Sequence, residues 1–286
     1  MARQKRRWRS GQSQLTVNQS ALCLRGFESL PAHKMKESSG SGIYIYGKKP
    51  IEEVLLADPK NVKIVYVRET VRDIEIEEIR KFLSKNKIPL VKAPEKKLAE
   101  LVGDVNDQGF VAELKEFKSI DFNEWIETID KEQNPLVFVL DELEDPHNVG
   151  AVVRVAAASG AAGVILSKHR QAPINATVFK TSAGTVAKLP IIVVSNTNDT
   201  IKKLKDEKFW VVGLDSDAQK SVWDEAYDTP IAVVIGNEGR GVREKTREAC
   251  DYLLRIPMER GVESLNASVS AGVVAYEWKR RNLPKN

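Results

Sequence analysis

The chain is expected to be an α/β protein: a parallel sheet in its carboxyl-terminal half, preceded by a smaller α/β unit. Three observations point there. Beyond Pro135, apolar runs of strand length alternate with helical segments, the pattern of a parallel sheet covered on both faces. Between Ile43 and Lys118 a shorter alternation of strands and amphipathic helices recurs. At 286 residues and 42 % hydrophobic content, there is enough apolar material for one large core or two modest ones.

Residues 1–42 open with Arg3, Lys5, Arg6, Arg7 and Arg9, show no acid before Glu28, and end in the polar run Lys36 to Gly42. That composition is one of disorder. Three explanations stand: a basic RNA-binding arm, an organellar transit peptide, and an extension upstream of a functional start near Met35, the last being preferred. In residues 43–118 the expected elements are a strand at Ile43 to Tyr46, a helix from Pro50, a strand at Val62 to Val67, a charged helix from Asp73 to Asn86, and a strand at Phe110 to Leu114. Residues 119–134 carry many charges and end at Asn134-Pro135, so they read as a linker, although Phe122, Trp125, Ile126 and Ile129 have helical spacing. From Pro135 to Asn286, strands are expected at Leu136 to Leu140, Gly163 to Leu166, Ile191 to Val194, Trp210 to Leu214, Ile231 to Ile235 and Leu253 to Ile256. A last helix is expected from Ser264, with Leu265, Val269, Gly272, Val273 and Tyr276 on one face.

Composition narrows the function. The longest apolar runs have strand length and fall short of the roughly 18–20 residues of a membrane span, so no membrane association is expected. Two cysteines far apart and three histidines supply neither a disulfide framework nor a zinc pattern, and a reducing, cytoplasmic setting fits them, with an organelle as the alternative if the basic start is a transit peptide. A net charge of +4 and a pI near 8.8 have the sign suited to a polyanionic partner.

Three segments carry the chemistry. In the first, a strand runs into the acidic group Asp141, Glu142, Glu144 and Asp145, read as a solvated loop rather than a metal site. Pro146-His147-Asn148 then opens a helix that bears Arg154. Taken alone, Asn148 reads as a helix N-cap and Arg154 as a solvated charge. In the second, Gly236-Asn237-Glu238-Gly239-Arg240-Gly241 follows a buried strand, where glycines permit close backbone approach to a ligand and where ligands sit in open α/β sheets. Its spacing is neither the dinucleotide fingerprint nor a P-loop, which argues against a nucleotide-binding oxidoreductase. In the third, Ile256-Pro257-Met258 leads through Gly261 to Ser264-Leu265-Asn266 at a helix start, whose free N–H groups can hold a carboxylate or carbonyl.

In this order and approximate spacing the three segments resemble the signature motifs of the SpoU (TrmH-type) RNA ribose methyltransferases. Lys180-Thr181-Ser182-Ala183-Gly184 also looks like a family feature. Upstream, Tyr46-Gly47 and Asn106-Asp107-Gln108-Gly109-Phe110-Val111 look like the start and end of the small ribosomal-protein-like RNA-binding domain of members that modify 23S ribosomal RNA, so the likeness spans about 43–286. Two departures stand out: Asp107 where the family often has His, and Val155 where a Thr commonly follows the motif-one Arg.

The resemblance implies a SPOUT fold, an α/β sheet with a carboxyl-terminal trefoil knot, which general topology would have rejected. It implies S-adenosylmethionine, bent and held by the second and third segments, with Gly236, Asn237, Gly239, Ile256, Met258 and Leu265 as contacts, no metal, and a homodimer paired through the knot and last helix. The implied reaction is methyl transfer to a ribose 2′-oxygen. In it Arg154 binds a phosphate or the developing oxyanion, since a guanidinium is a poor base, Glu238 holds Arg154, and Asn148, Ser264 and Asn266 orient the reactants. The preferred substrate is a guanosine of 23S ribosomal RNA. A transfer RNA is the alternative, with a ribosomal adenosine behind it, and a noncatalytic ribosome-assembly protein is the competing class.

Overall fold

A computed structural model describes residues 42–260, 262 and 264–283. The expectations for residues 1–41 therefore lie outside the described residues. The first sheet is built from β1 (Ile43–Tyr46), α1 (Lys48–Ala57), β2 (Val62–Arg68), α2 (Asp73–Lys85), β3 (Leu90–Ala93), α3 (Glu95–Val102) and β4 (Phe110–Leu114). Its order is β1-β4-β2-β3, with β4 antiparallel to β1 and β2 and β3 parallel to β2. Sequence reading missed β3 and α3. The reason is local: β3 is a four-residue edge strand that exposes Val91 and Lys92 and buries only Ala93, so it shows no alternation.

The second sheet follows α4 (Phe122–Glu127) and comprises β5 (Leu136–Asp141), α5 (Pro146–Ser159), β6 (Gly163–Ser167), α6 (Ala176–Thr181), β7 (Ile191–Val194), α7 (Thr197–Asp206), β8 (Trp210–Leu214), β9 (Lys220–Ser221), β10 (Ile231–Gly236), α8 (Glu244–Ala249), β11 (Tyr252–Arg255) and α9 (Ala267–Arg281). The strands run in the order β7-β6-β5-β10-β8-β11-β9, every pair parallel. Alternate residues feed opposite layers, as the two-residue period of a strand requires. Leu136, Phe138, Leu140, Ile231, Val233 and Ile235 join the layer under α5 and α9, whereas Val137, Val139, Ala232 and Val234 join Ile201 and Leu204 of α7 on the other face. Among the described residues no helix is long and apolar enough to cross a membrane.

The segment read as a linker is partly structural. Phe122, Trp125 and Ile126 of α4 belong to the second apolar layer, and the Trp125 indole N–H donates to the Ala162 carbonyl at 3.1 Å. Gly163 starts β6 directly against that ring, where a Cβ would come within 3.0 Å of it.

Two helix starts differ from expectation. Asp145, not Asn148, caps α5, accepting from the His147 N–H at 2.9 Å, with Pro146 at the first helical position where its missing N–H costs nothing. Asn148 is thereby placed inside the first turn and buried. Asn266, not Ser264, caps α9, accepting from the Ser268 N–H at 2.9 Å. The face of α9 turned to the core is Ala267, Ala271, Val274, Ala275 and Trp278, because small residues there let α9 lie close on α5. Of the stripe read from spacing, Val273 packs partly against this core, while Val269 and Tyr276 face outward, about half exposed.

The last turn of α9 carries a testable charge cluster. Arg280 and Arg281 donate to the buried Glu277 at 2.7–2.8 Å, and chiefly the Arg280 hydrogen bonds hold its carboxyl at about 2 against an ordinary 4.5. A depressed carboxyl contributes stability above its unfolded value and loses it as pH falls through the folded one. Glu277→Gln is therefore expected to cost about 1–3 kcal/mol near neutral pH. Thermal melting should show the gap between variant and parent closing between pH 4.5 and 2.

Candidate active site

The carboxyl ends of β8, β10 and β11 meet the start of α9, where open α/β sheets bind ligands. A cavity of about 440 Å³ opens there. Gly236, Asn237, Gly239, Ile256, Met258 and Leu265, the expected cofactor contacts, all line it, as do Glu238 and Ser264. Asn148, Arg154 and Asn266 stand outside its lining.

The loop after β10 is a tight turn built over its own first glycine. Asn237 N–H donates to the Gly241 carbonyl at 3.1 Å and Gly241 N–H to the Asn237 carbonyl at 2.8 Å, with Gly241 at φ +67°. A Cβ on Gly236 would lie 2.1–2.3 Å from backbone atoms of Gly241 and Val242, so only glycine fits. The Asn237 side chain ties the turn inward, accepting from Gly239 N–H and donating to the Glu142 carbonyl, both at 3.0 Å.

The acidic group expected as a solvated loop anchors this turn instead. Asp141 and Glu142 are buried. Arg243 closes the loop by donating to both Asp141 oxygens, through its guanidinium at 2.5 and 3.0 Å and its backbone N–H at 3.1 Å. It also pairs with Glu142 at 3.0 Å, and the Asp141 hydrogen bonds raise the Arg243 pKa. Arg240 pairs with Glu144 at 2.9 Å. The cause is register: β10 lies beside β5 with Gly236 opposite Asp141, so the two loops leave the sheet side by side.

The three sequence segments converge on a polar chain. Asn148 Nδ2 donates to Glu238 Oε1. Asn266 Nδ2 donates to Asn148 Oδ1 at 2.9 Å, while Asn266 Oδ1 serves the α9 cap. Glu238 is thus held by Asn148, which corrects the expectation that it holds Arg154. Arg154 sits six residues further along α5, about 9 Å up the axis at 1.5 Å per residue, and no hydrogen bond or ion pair engages its side chain among the described residues. Ser264 is exposed beside the cavity.

Sequence reading passed over Leu214 and Asp215, which also line the cavity. Asp215 pairs with Arg247 at 3.2 Å and accepts from Asp217 N–H at 2.8 Å. An acid directly after a buried strand was the available signal. Asp141 and Arg243 were hidden because their partnership depends on strand order.

Residues 135–276 match the model of the SpoU rRNA Methylase family, and residues 44–119 match that of RNA 2′-O ribose methyltransferase substrate binding. A protein of Vibrio parahaemolyticus named 23S rRNA (guanosine-2′-O-)-methyltransferase RlmB is 35 % identical over 243 residues, 85 % of this chain and 98 % of that one. The chain belongs to the SpoU rRNA methylase family. A second SpoU relative, the Bacillus subtilis protein YacO, provisionally named a TrmH family tRNA/rRNA methyltransferase, is 35 % identical over 242 residues, 84 % of this chain and 96 % of its own. Among solved structures, the SpoU methyltransferase AviRb from Streptomyces viridochromogenes, in complex with the cofactor AdoMet, superposes with a TM-score of 0.74 at 23 % identity. That likeness covers 86 % of this chain and 92 % of AviRb and shows the shared SPOUT architecture. Within this SpoU chain, the segments that carried the resemblance lie far apart in sequence and meet at Asn148, Glu238 and Asn266.

Proposed function

We propose that the chain transfers a methyl group from S-adenosylmethionine to the ribose 2′-oxygen of an RNA nucleotide, a guanosine of 23S ribosomal RNA being the preferred target. The observation that carries this is the Asn266–Asn148–Glu238 chain, which reaches the β8/β10/β11 cavity through Glu238. The preference for 23S RNA rests on the RlmB relatives and on the substrate-binding match upstream.

The cavity fits the cofactor. Its volume suits a nucleoside-sized ligand, Leu214, Ile256, Met258 and Leu265 supply apolar walls, and the backbone of 236–241 supplies polar edges. The carboxylate of Asp215 and the guanidinium of Arg247 lie at the same cavity and suit the cofactor's hydroxyls or ammonium and its carboxylate. S-adenosylmethionine supplies the electrophilic methyl on a sulfonium. This chain's residues supply alignment, which alone can be worth about 7–11 kcal/mol. Glu238, fixed by Asn148, faces the cavity as an acceptor for a ribose hydroxyl. Arg154, with no acid of its own among the described residues, is available to a phosphate or to the oxygen as it gains negative charge. Arg154→Lys keeps the charge but loses the planar fork, and kcat is expected to fall about 10²-fold with cofactor affinity unchanged. Near-normal turnover of that variant would sink the bidentate role.

In this reading residues 43–118 hold RNA, 119–134 join the units, and 135–286 carry out transfer. By the family resemblance, the carboxyl-terminal segment would thread a loop to form a trefoil knot. The outward residues Val269 and Tyr276 of α9 would pair two copies into a dimer, and the cytoplasm is the proposed compartment. Transfer RNA is the second reading, favoured by the name of YacO.

Labelled methyl transfer to unmodified 23S ribosomal RNA and, separately, to unmodified transfer RNA tests the proposal. Label in an alkali-resistant dinucleotide of ribosomal RNA is the expected result. Label in transfer RNA alone would change the substrate, and label in neither would overturn the activity.

A further inference from the structure

The segment Lys180-Thr181-Ser182-Ala183-Gly184 takes no part in the site, yet its turn is tightly constrained. Ala183 and Gly184 both have positive φ, 52° and 83°, and the turn is closed by Gly184 N–H donating to the Phe179 carbonyl at 2.8 Å and Thr185 Oγ1 to the Ser182 carbonyl at 2.8 Å. Positive φ at a non-glycine residue persists where the surroundings enforce it. Here the surroundings belong to the RNA-holding unit.

On one side the turn is pressed into α1. A Cβ on Gly184 would lie 2.6 Å from the Glu53 Cβ and 2.8 Å from the Pro50 carbonyl oxygen. Lys188, just beyond, pairs with Glu53. Lys180 reaches the end of β1, its ammonium 5.3 Å from the Tyr46 ring centre and donating to the Asn106 carbonyl at 3.4 Å. A Cβ on Gly47 would stand 2.6 Å from that nitrogen. Burial at this contact lowers the Lys180 pKa, opposed by the nearby Asp107. Apolar residues follow the same path: Ile51, Val54 and Leu55 of α1 share one continuous cluster with Phe179 and Val186.

On the other side the turn is welded to α5. Gly150 crosses α6 so closely that a Cβ would fall 1.8 Å from Thr181 Oγ1 and 3.0 Å from the Val178 carbonyl. Gly150 is two residues after Asn148. A run of backbone-close contacts therefore links α1, through Gly184 and Thr181, to the helix that carries Asn148 and Arg154.

We propose that the turn 180–184 is the joint that sets the RNA-holding unit in register with the reacting atoms, so that Lys180 and Gly184 are positioning residues that select which ribose is presented. This rests on the RNA-methyltransferase reading. A helix–helix contact through glycine and a turn filled by α1 leave little freedom for the two units to slide, and a shift of about 1 Å at the reacting centre is enough to cost about a hundredfold in rate. The joint acts on substrate presentation alone, because the cofactor cavity lies at the carboxyl ends of β8, β10 and β11 and none of its lining residues comes from this turn.

The test uses the full chain with a 23S ribosomal RNA transcript and compares Gly184→Ala, Lys180→Met and the unaltered protein. Calorimetric affinity for S-adenosylmethionine is expected to stay within about twofold in both variants. The kcat for methyl transfer should fall tenfold or more, and mapping of alkali-resistant positions should show methyl spread to riboses flanking the parent site. A charge-reversal pair supplies rescue without disturbing the turn: Glu53→Lys and Lys188→Glu should each lower kcat, and the double variant should recover most of it. Methylation of the same ribose at parental kcat by both Gly184→Ala and Lys180→Met would overturn the inference and leave the functional reading intact. Loss of cofactor affinity in parallel with kcat would overturn it too, since the damage would then lie in the transferring unit. No transfer by the unaltered protein would overturn the functional reading and the inference with it.

Discussion

Gly236→Ala is expected to weaken S-adenosylmethionine binding at least about a hundredfold, about 3 kcal/mol. The added methyl has nowhere to go: it would stand 2.1–2.3 Å from backbone atoms of Gly241 and Val242, and backbone cannot rotate aside as a side chain does. The turn must open, breaking the paired hydrogen bonds between Asn237 and Gly241 at 2.8 and 3.1 Å. Overpacking of this kind costs about 1–3 kcal/mol in a core, and here the cost falls on the loop that shapes the cavity. Gly239→Ala is the matched control. A Cβ there meets only Asn237 Oδ1, at 3.6 Å, so its thermal midpoint should match the parent. Isothermal titration of Gly236→Ala and thermal melting of both variants check the pair, and an unchanged thermal midpoint for Gly236→Ala would contradict the steric argument.

Asn148→Ala is expected to lower kcat by about 10²–10³-fold, the range seen when one oriented polar group is lost from a reacting centre. Asn148 donates to Glu238 and accepts from Asn266 at 2.9 Å, so removing its amide frees Glu238 to swing and leaves the Asn266 amide without its acceptor. Asn148→Asp separates orientation from volume. Its carboxylate would lie against Glu238, and two such groups in contact raise the pKa of one of them. The protonated pair can restore a hydrogen bond, so the activity of the Asp variant relative to the parent should rise as pH falls. A flat ratio across pH would show that Glu238 is not held by residue 148 during turnover.

Several parts of this protein were legible before any coordinates. The bounds of β1, β4, β7 and β8 follow from short, mostly apolar runs of strand length rich in β-branched and aromatic residues. The cavity-lining residues Gly236, Asn237, Gly239, Ile256, Met258 and Leu265 were legible through the family resemblance of the second and third segments, and the first five lie within three residues of a strand end, where such sheets bind ligands. Short-range features failed where a neighbour decided them. Asn148 looks like a cap in sequence, but Asp145 three residues earlier claims that role and turns Asn148 inward.

Local pattern thus specifies which segments become strands, which loops are rich in glycine, and which polar residues stand at helix starts, since hydrophobic period and backbone freedom are properties of neighbours in the chain. Partnership is another matter. That Asp141 grips Arg243, that Glu238 answers to Asn148 rather than Arg154, and that Gly184 seats against Pro50 all depend on strand order and helix crossing. Those arise from burying apolar faces across distances of up to more than a hundred residues in sequence, and no local period encodes them.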